Sequence, residues 1–494
     1  MNESVGKVQL TDYSQTGFRV MPLDLVVFAV SMLSAVAFLI INRLSYINSM
    51  AILPVIFAVC YLLLAAPVIR VRRSKTMIVF AICEFARCVF LPLFSAVTNY
   101  SGFTRYATED GELILRAVLL MSWEMVFVFG FLALYLRYRR PAERRSHTVE
   151  LGENKYAIYL IVLSGIVLFA VLPQVREYVN FLFLNADSEK VRDVIAGGNS
   201  SLFTGAVTYV QYAFLCVFVL ILDYCSKKYG FSGKRRFILI STIAGLATVS
   251  VIFGESRAAI IYTLFAVLSC LLLKYREHKK SIVTVLVVGA VAVLGGMTVY
   301  RLFAAYNFAS YSAAIEHGGY MGENYYAKFA EAYLLGPQSI AAGMEFKEFF
   351  STSFTPERFL MDLFRPFMGI NLILKNFGVD TSITLYNSWI YGTTGRSNGF
   401  FLQITSQGYC YFGFFFAPVF ACFFMWLSAR IEEWIAKTEN LFVYFFLSYV
   451  FIRTSTCVLG GTMSGYITNV TMTLLVCGAF LLLQRFFGSI LKKR

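Results

Sequence analysis

The sequence predicts an all-α polytopic membrane protein, with about twelve transmembrane helices and one large helical extracytoplasmic loop. Three observations carry this. The 494-residue chain is 58% hydrophobic and 15% charged, with a mean hydropathy of +0.67, whereas soluble domains carry roughly 25% charge. Its apolar residues gather in uncharged runs close to the ~20 residues that cross a ~30 Å hydrocarbon core. Its basic residues cluster in every second loop between those runs. Together these features exclude a soluble globular protein, a disordered chain and a coiled coil.

In chain order, the expected spans lie at about 21–41, 49–69, 76–98, 114–136, 156–174, 204–224, 237–253, 257–273, 281–301, 408–429, 440–457 and 465–485. Residues 1–301 hold spans one to nine, 302–400 form the large loop, and 401–494 hold spans ten to twelve. Residues 1–20 are polar and the first apolar run is long enough to span, so no cleavable signal is expected. Basic clusters around Arg70–Lys75, Arg137–Lys155, Lys227–Arg236 and Lys274–Lys280, with both termini and 430–439, hold 27 of the 43 Lys and Arg. Basic loops face the cytoplasm. The expected topology is therefore N-in/C-in, with 99–113, 175–203 and 302–400 outside.

The large loop is not low-complexity. Segments 322–335, 338–350 and 355–376 read as helices, separated by Gly336-Pro337 and Ser351-Thr352-Ser353. Thr355 is the expected N-cap of the third, with Pro356 at its first position and Glu357 in its first turn. No internal repeat is visible. The loop is expected to form a folded cap partly apposed to the membrane.

The net charge of +14 would suit a nucleic-acid partner, but the charges follow the loops of a membrane protein and no nucleic acid is expected. Ten Cys without a CxxC and three His give no zinc or redox pattern, so no metal or cofactor is expected. Walker A, HExxH and DxD patterns are absent, which argues against a nucleotide-driven pump and a cytoplasmic nucleotide-sugar transferase. Gly395-Arg396-Ser397-Asn398-Gly399 matches GxSxG by letter. That motif makes a nucleophile elbow only between a strand and a helix, and here it precedes a membrane span.

Candidate chemistry sits where arginines meet helix starts on the outer side. Gly254-Glu255-Ser256-Arg257 forms a short turn before span eight. There Ser256 can cap the helix, and Arg257 adds a cation to its unpaired N–H groups, which makes an anion site. Snorkelling of Arg257 to headgroups, or pairing with Glu255, is the alternative. Thr393–Gly399 surrounds Arg396 with glycines and hydroxyls ahead of span ten, and the amides of Asn398, Gln403 and Gln407 suit sugar hydroxyls. Arg358, Asp362 and Arg365 fall on roughly one face of the third loop helix, as a phosphate-holding face or a surface salt-bridge stripe. Arg301 ends span nine. Arg453, followed by Thr454-Ser455-Thr456, lies near the outer end of span eleven, where it would line the same cavity as Arg257. Within spans, Glu84 and Arg87 read as a structural pair, and Glu124 requires a partner or a cavity. For acid–base work the outer candidates are His317 and the carboxylates Glu255, Glu323 and Glu331.

With these residues in view, the chain resembles the Wzy-type O-antigen and capsule repeat-unit polymerases. The resemblance rests on many spans with one large outer loop in the C-terminal half and on the GESRAAII turn. It also rests on the stretch NSWIYGTTGRSNGFFLQITSQGYCYFGFFFAPVF at 387–420, and it covers roughly 254–430. It implies a GT-C-like architecture in a bacterial cytoplasmic (inner) membrane. It also implies glycosyl transfer between two undecaprenyl-pyrophosphate-linked oligosaccharides, releasing undecaprenyl pyrophosphate without a metal, alongside a chain-length regulator and a flippase. Arg257, Arg396, His317 and Glu255 would then be catalytic. Arg365, Arg358, Arg453, Arg301, Asn398 and Gln403 would bind substrate. Two competing readings are a polysaccharide flippase or transporter, which should show pseudo-symmetric halves and short outer loops, and an O-antigen ligase, which shares the architecture.

Overall fold

The computed structural model describes residues 21–102, 106–139, 149–151, 155–177, 179–181, 201–253, 257–306, 324–367, 370–374, 377–394, 401–460 and 462–492. Helices dominate. Before the large loop they are α1 (Pro22–Ile41), α2 (Ser45–Arg72), α3 (Lys75–Thr98), α4 (Gly111–Tyr138), α5 (Tyr156–Val171), α6 (Ser201–Ser232), α7 (Arg236–Ser250), α8 (Arg257–Lys274) and α9 (Lys279–Tyr306). The loop contributes α10 (Asn324–Leu334), α11 (Pro337–Phe349), α12 (Pro356–Phe364) and α13 (Ser382–Thr394). The chain ends in α14 (Ile404–Phe416), α15 (Val419–Lys437), α16 (Leu441–Ser455) and α17 (Met463–Lys492).

Each expected span coincides with an apolar helix, but the helices differ in reach. Among the described residues, seven are long and apolar enough to cross a membrane. Apolar stretches in α5, α7, α8 and α16 are only 10–17 residues long; at 1.5 Å per residue, a 15-residue helix reaches about 23 Å of the ~30 Å core. The tenth span is two helices, α14 and α15, bent by 106°. Hydropathy runs unbroken through the bend and does not report it. The break comes from Gly413, at φ 73° and ψ −173°, and from Gly408, where a Cβ would lie 2.0 Å from the Ala417 carbonyl oxygen. Leucines such as Leu33 (66% exposed) and Leu39 (62%) lie outward along α1. They form the apolar face that lipid covers in a polytopic membrane protein.

Among the described residues the expectation of an all-helical chain is met except for one ribbon and an isolated Glu150–Asn440 bridge. β1 (Val179–Phe181) pairs antiparallel with β2 (Val251–Phe253), with Val179 opposite Phe253. This joins the 175–203 loop to the residues just before Arg257. Two large core clusters divide the helices. One packs α1–α4 with α11, α14, α15 and the start of α17 (Met463, Tyr466, Ile467); the other packs α5–α9 with α16 and the later part of α17.

The loop helices begin where the sequence places them. Thr355 caps α12, its hydroxyl accepting from Arg358 N, with Pro356 first in the helix. The third helix stops early, at Phe364: Arg365 keeps helical backbone, but Pro366 has no N–H to donate to the Asp362 carbonyl. A short helix, Ile370–Leu374, follows within the expected third segment, and a further loop helix, α13, was not expected from the sequence. The loop is also more than a cap: Ile340, Ala341 and Met344 of α11 belong to the bundle core.

Candidate functional site

Arg87 organises the first polar centre. It lies in a π-helical turn, Ala86–Phe90, just ahead of Pro92. That proline cannot donate to the Cys88 carbonyl and crowds it, and the wider turn relieves the clash. Arg87 Nη1 donates to Glu124 Oε2 at 2.8 Å and to Glu84 Oε1 at 3.4 Å, and Nε donates to the Leu335 carbonyl at 2.9 Å. Cys88 donates to Glu84 at 3.2 Å. Glu84, Arg87 and Glu124 are all 0% exposed. Arg87 is twelve residues into α3 and Glu124 thirteen into α4, so both lie about 18–20 Å from the helix starts. The sequence pair Glu84–Arg87 is therefore a triad with Glu124, and two helix starts meet it.

At the first helix start, Gln403 caps α14, its Oε1 accepting from Thr405 N at 2.6 Å and Ser406 N at 2.9 Å. Its Nε2 donates to Glu124 Oε1 at 3.3 Å, and the Thr405 hydroxyl donates to the same oxygen at 2.6 Å. At the second, Glu331 Oε1 accepts from Gln338 N at 2.9 Å and Ser339 N at 3.2 Å, closing the start of α11. Gln403, placed among sugar-binding amides by the sequence, is fully buried as a cap.

A second centre ties the loop to the C-terminal helices. Asp362, 0% exposed, accepts from Ser382 N at 2.8 Å, Gln407 Nε2 at 3.0 Å and the Tyr411 hydroxyl at 2.6 Å. Gln407 Oε1 in turn accepts from Met463 N at 3.1 Å. Asp362 thus faces inward. Arg358 turns to backbone carbonyls, donating to Asp380 at 3.0 Å and to Ser353. Arg365 is half-buried at the end of α12. Beside it the Thr468 hydroxyl of α17 donates to the Pro366 carbonyl at 3.1 Å.

The third centre is Arg453, at the C-terminal end of α16. Its guanidinium lies over the Tyr262 ring, 5.2 Å from the centroid, with Tyr212, Tyr449 and Tyr466 in electrostatic range. Among the described residues no carboxylate pairs with it, and its side chain keeps partial exposure. Thr454, Ser455 and Thr456 bond back to carbonyls of their own helix. Tyr262 belongs to the helix that Arg257 begins, five residues or about 7.5 Å further on. The backbone therefore brings the start of α8 to the neighbourhood of Arg453.

Glu255, His317, Arg396 and Asn398 lie outside the described residues, as do the side chains of Arg257 and Arg301. The sequence missed Glu331 as a helix cap, Asp362 as an anchor and the tyrosines around Arg453. Only the buried charge in each apolar setting hinted at them. No protein-family model matches the chain, and neither a curated protein nor a solved structure matches it.

Proposed function

We propose that the protein is a glycosyltransferase that polymerises undecaprenyl-pyrophosphate-linked oligosaccharide repeat units into O-antigen or capsular polysaccharide. It would work at the outer face of the cytoplasmic membrane, with both termini inside and twelve spans. The observation that carries the reading is Arg453, a partly exposed arginine among tyrosines without a described carboxylate, beside the helix that Arg257 begins. An unpaired guanidinium in so apolar a setting calls for an anion, and a lipid pyrophosphate supplies one at that depth.

In this reading the bond from the donor sugar C1 to the pyrophosphate oxygen breaks, and the acceptor hydroxyl oxygen bonds to C1. The hydroxyl proton passes to a base, for which His317 and Glu255 are the candidates. The electron pair leaves on pyrophosphate, where Arg257, Arg396 and Arg453 stabilise the developing charge. Aromatic side chains of the loop offer faces on which sugar rings stack. The ligase reading uses the same chemistry on a different acceptor.

Deletion of the gene, followed by gel analysis of surface glycan, separates the readings. Loss of a polymerase leaves one repeat unit on the acceptor, loss of a flippase leaves none, and loss of a ligase accumulates lipid-linked polymer. Complementation with Arg453→Ala should restore about tenfold less polymer or worse, and Arg453→Lys should restore part of it because the planar fork is lost. Full polymer from a well-expressed Arg453→Ala protein would remove Arg453 from the site.

A further inference from the structure

The Arg87 centre has a charge imbalance that the proposed function does not use. Glu84 and Glu124 pair with one guanidinium, and Glu331 adds a third carboxyl beside it; Glu84, Arg87 and Glu124 are 0% exposed and Glu331 is 1% exposed. Glu331 reaches Arg87 through the turn between α10 and α11. Leu335 N donates to the Glu331 carbonyl at 2.9 Å, and the Leu335 carbonyl accepts from Arg87 Nε at 2.9 Å. Three carboxylates against one cation in a low-dielectric interior cost far more than they recover, so such groups neutralise.

Two buried polar atoms without a described partner lie at the same place. Glu331 Oε2 and Arg87 Nη2 are buried and have no hydrogen-bond partner among the described residues. An ionised carboxylate with one undonated oxygen is the costlier form. Packing leaves no slack there, since a Cβ on Gly336 would lie 2.6 Å from Glu331 Oε2 and 2.2 Å from Leu91.

We infer that Glu84, Arg87, Glu124 and Glu331 form one buried proton-binding site, and that loss of its proton loosens the seat of the 324–349 hairpin in the bundle. The titratable and charged groups around Glu331 are Arg87 from α3 and Tyr100, over which Lys328 of α10 places its ammonium at 5.1 Å. Those around Glu84 and Glu124 are Arg87, Cys83 and Cys88 on α3, Cys60 on α2, Cys422 on α15 and Cys457. Among the described residues none but Arg87 is a cation facing the carboxyls.

Burial raises the Glu331 carboxyl from 4.5 to about 7, against the opposing pull of the Ser339 and Gln338 N–H groups and Arg87. A folded value above the unfolded one gives a contribution that is complete below about 4.5. It is lost as pH rises through about 7. The hairpin should therefore be seated most firmly in acid.

The test is hydrogen–deuterium exchange of the full chain in detergent, with rates corrected for intrinsic pH dependence. Protection of peptides covering 331–339 should fall about tenfold or more between about pH 5 and pH 8. Glu331→Gln, a neutral isostere of the protonated form, should abolish that step. A pH-independent wild type, or a step that persists in the variant, overturns the inference. Infrared spectroscopy of the wild type needs no variant. A protonated-carboxyl band present near pH 6 should fade towards pH 8, and its absence near pH 6 would equally overturn the inference. Neither outcome depends on whether the protein polymerises glycan.

Discussion

Removal of Arg87 tests the buried triad most directly. In Arg87→Met, Glu84 and Glu124 lose their shared cation, and the Leu335 carbonyl loses its donor. Breaking a buried pair by deleting one partner costs about 3–5 kcal/mol, and an orphaned carbonyl adds about 1 kcal/mol. The loss has a ceiling, because the stranded carboxylates can take protons. At pH 7 and an ordinary carboxyl value of about 4.3, protonation costs about 3.7 kcal/mol per group, or roughly 7 kcal/mol for two. The expected destabilisation is thus about 4–6 kcal/mol, below that ceiling and a large share of the 5–15 kcal/mol that holds a typical protein folded. Near pH 5 the same protonation costs only about 1 kcal/mol per group, so acid should restore most of the loss. Arg87→Met/Glu124→Gln, which removes one stranded charge, should recover part of it at neutral pH. Thermal unfolding in detergent, read from the fraction that stays monodisperse after heating, measures all three. An Arg87→Met protein as stable as wild type at pH 7, or one that acid does not rescue, would refute the reasoning.

Two further outcomes follow from the backbone and the topology. Gly408→Ala should cost about 3 kcal/mol, because its Cβ would meet the Ala417 backbone at 2.0 Å, whereas Gly130→Ala, with nothing within 4 Å, should be nearly silent; midpoint shifts in the same heating assay separate them. Asn324→Cys should react with a membrane-impermeant maleimide from outside intact cells against a quiet background, because all ten native cysteines are buried, and labelling solely from the cytoplasmic side would invert the proposed topology.

What the sequence made legible was local. The apolar runs mark helices, seven of the described ones long enough to span, because period and length are written in consecutive residues. Thr355-Pro356 and Gly336-Pro337 mark helix ends because capping and proline act within a few residues. The bend at Gly413 was hidden, since glycine in an apolar run leaves hydropathy unchanged and only its φ of 73° makes the turn. The triad was hidden for a different reason. Glu124 meets Arg87 across 37 residues and Gln403 across 279, and no spacing rule reaches so far. Asp362 shares helical spacing with Arg358 and Arg365, yet it points into the protein because Gln407, Tyr411 and Ser382 N converge on it.

A common arrangement underlies these centres. Glu331 closes the start of α11, Asp362 the start of α13, and Glu124 braces the Gln403 cap of α14. Glu432 does the same for α3, accepting from Lys75 N at 2.6 Å, Thr76 N at 3.1 Å and the Ser74 hydroxyl at 3.0 Å. Each carboxyl comes from another helix, Glu331 from the one just before and the others from further away along the chain. In water such a start is satisfied by solvent, but inside a bilayer every unpaired N–H needs a partner from the protein. Carboxylates meet that need and favour the positive end of the helix dipole. Short helices can therefore begin inside this bundle, and the loop can reach the level of Arg87. The helix begun by Arg257 extends the logic to the proposed chemistry. There the hydrogen-bond acceptor would come from the ligand, a lipid pyrophosphate taking at α8 the place that the Glu331 carboxyl holds at α11. It would also leave with the product, as a side chain cannot.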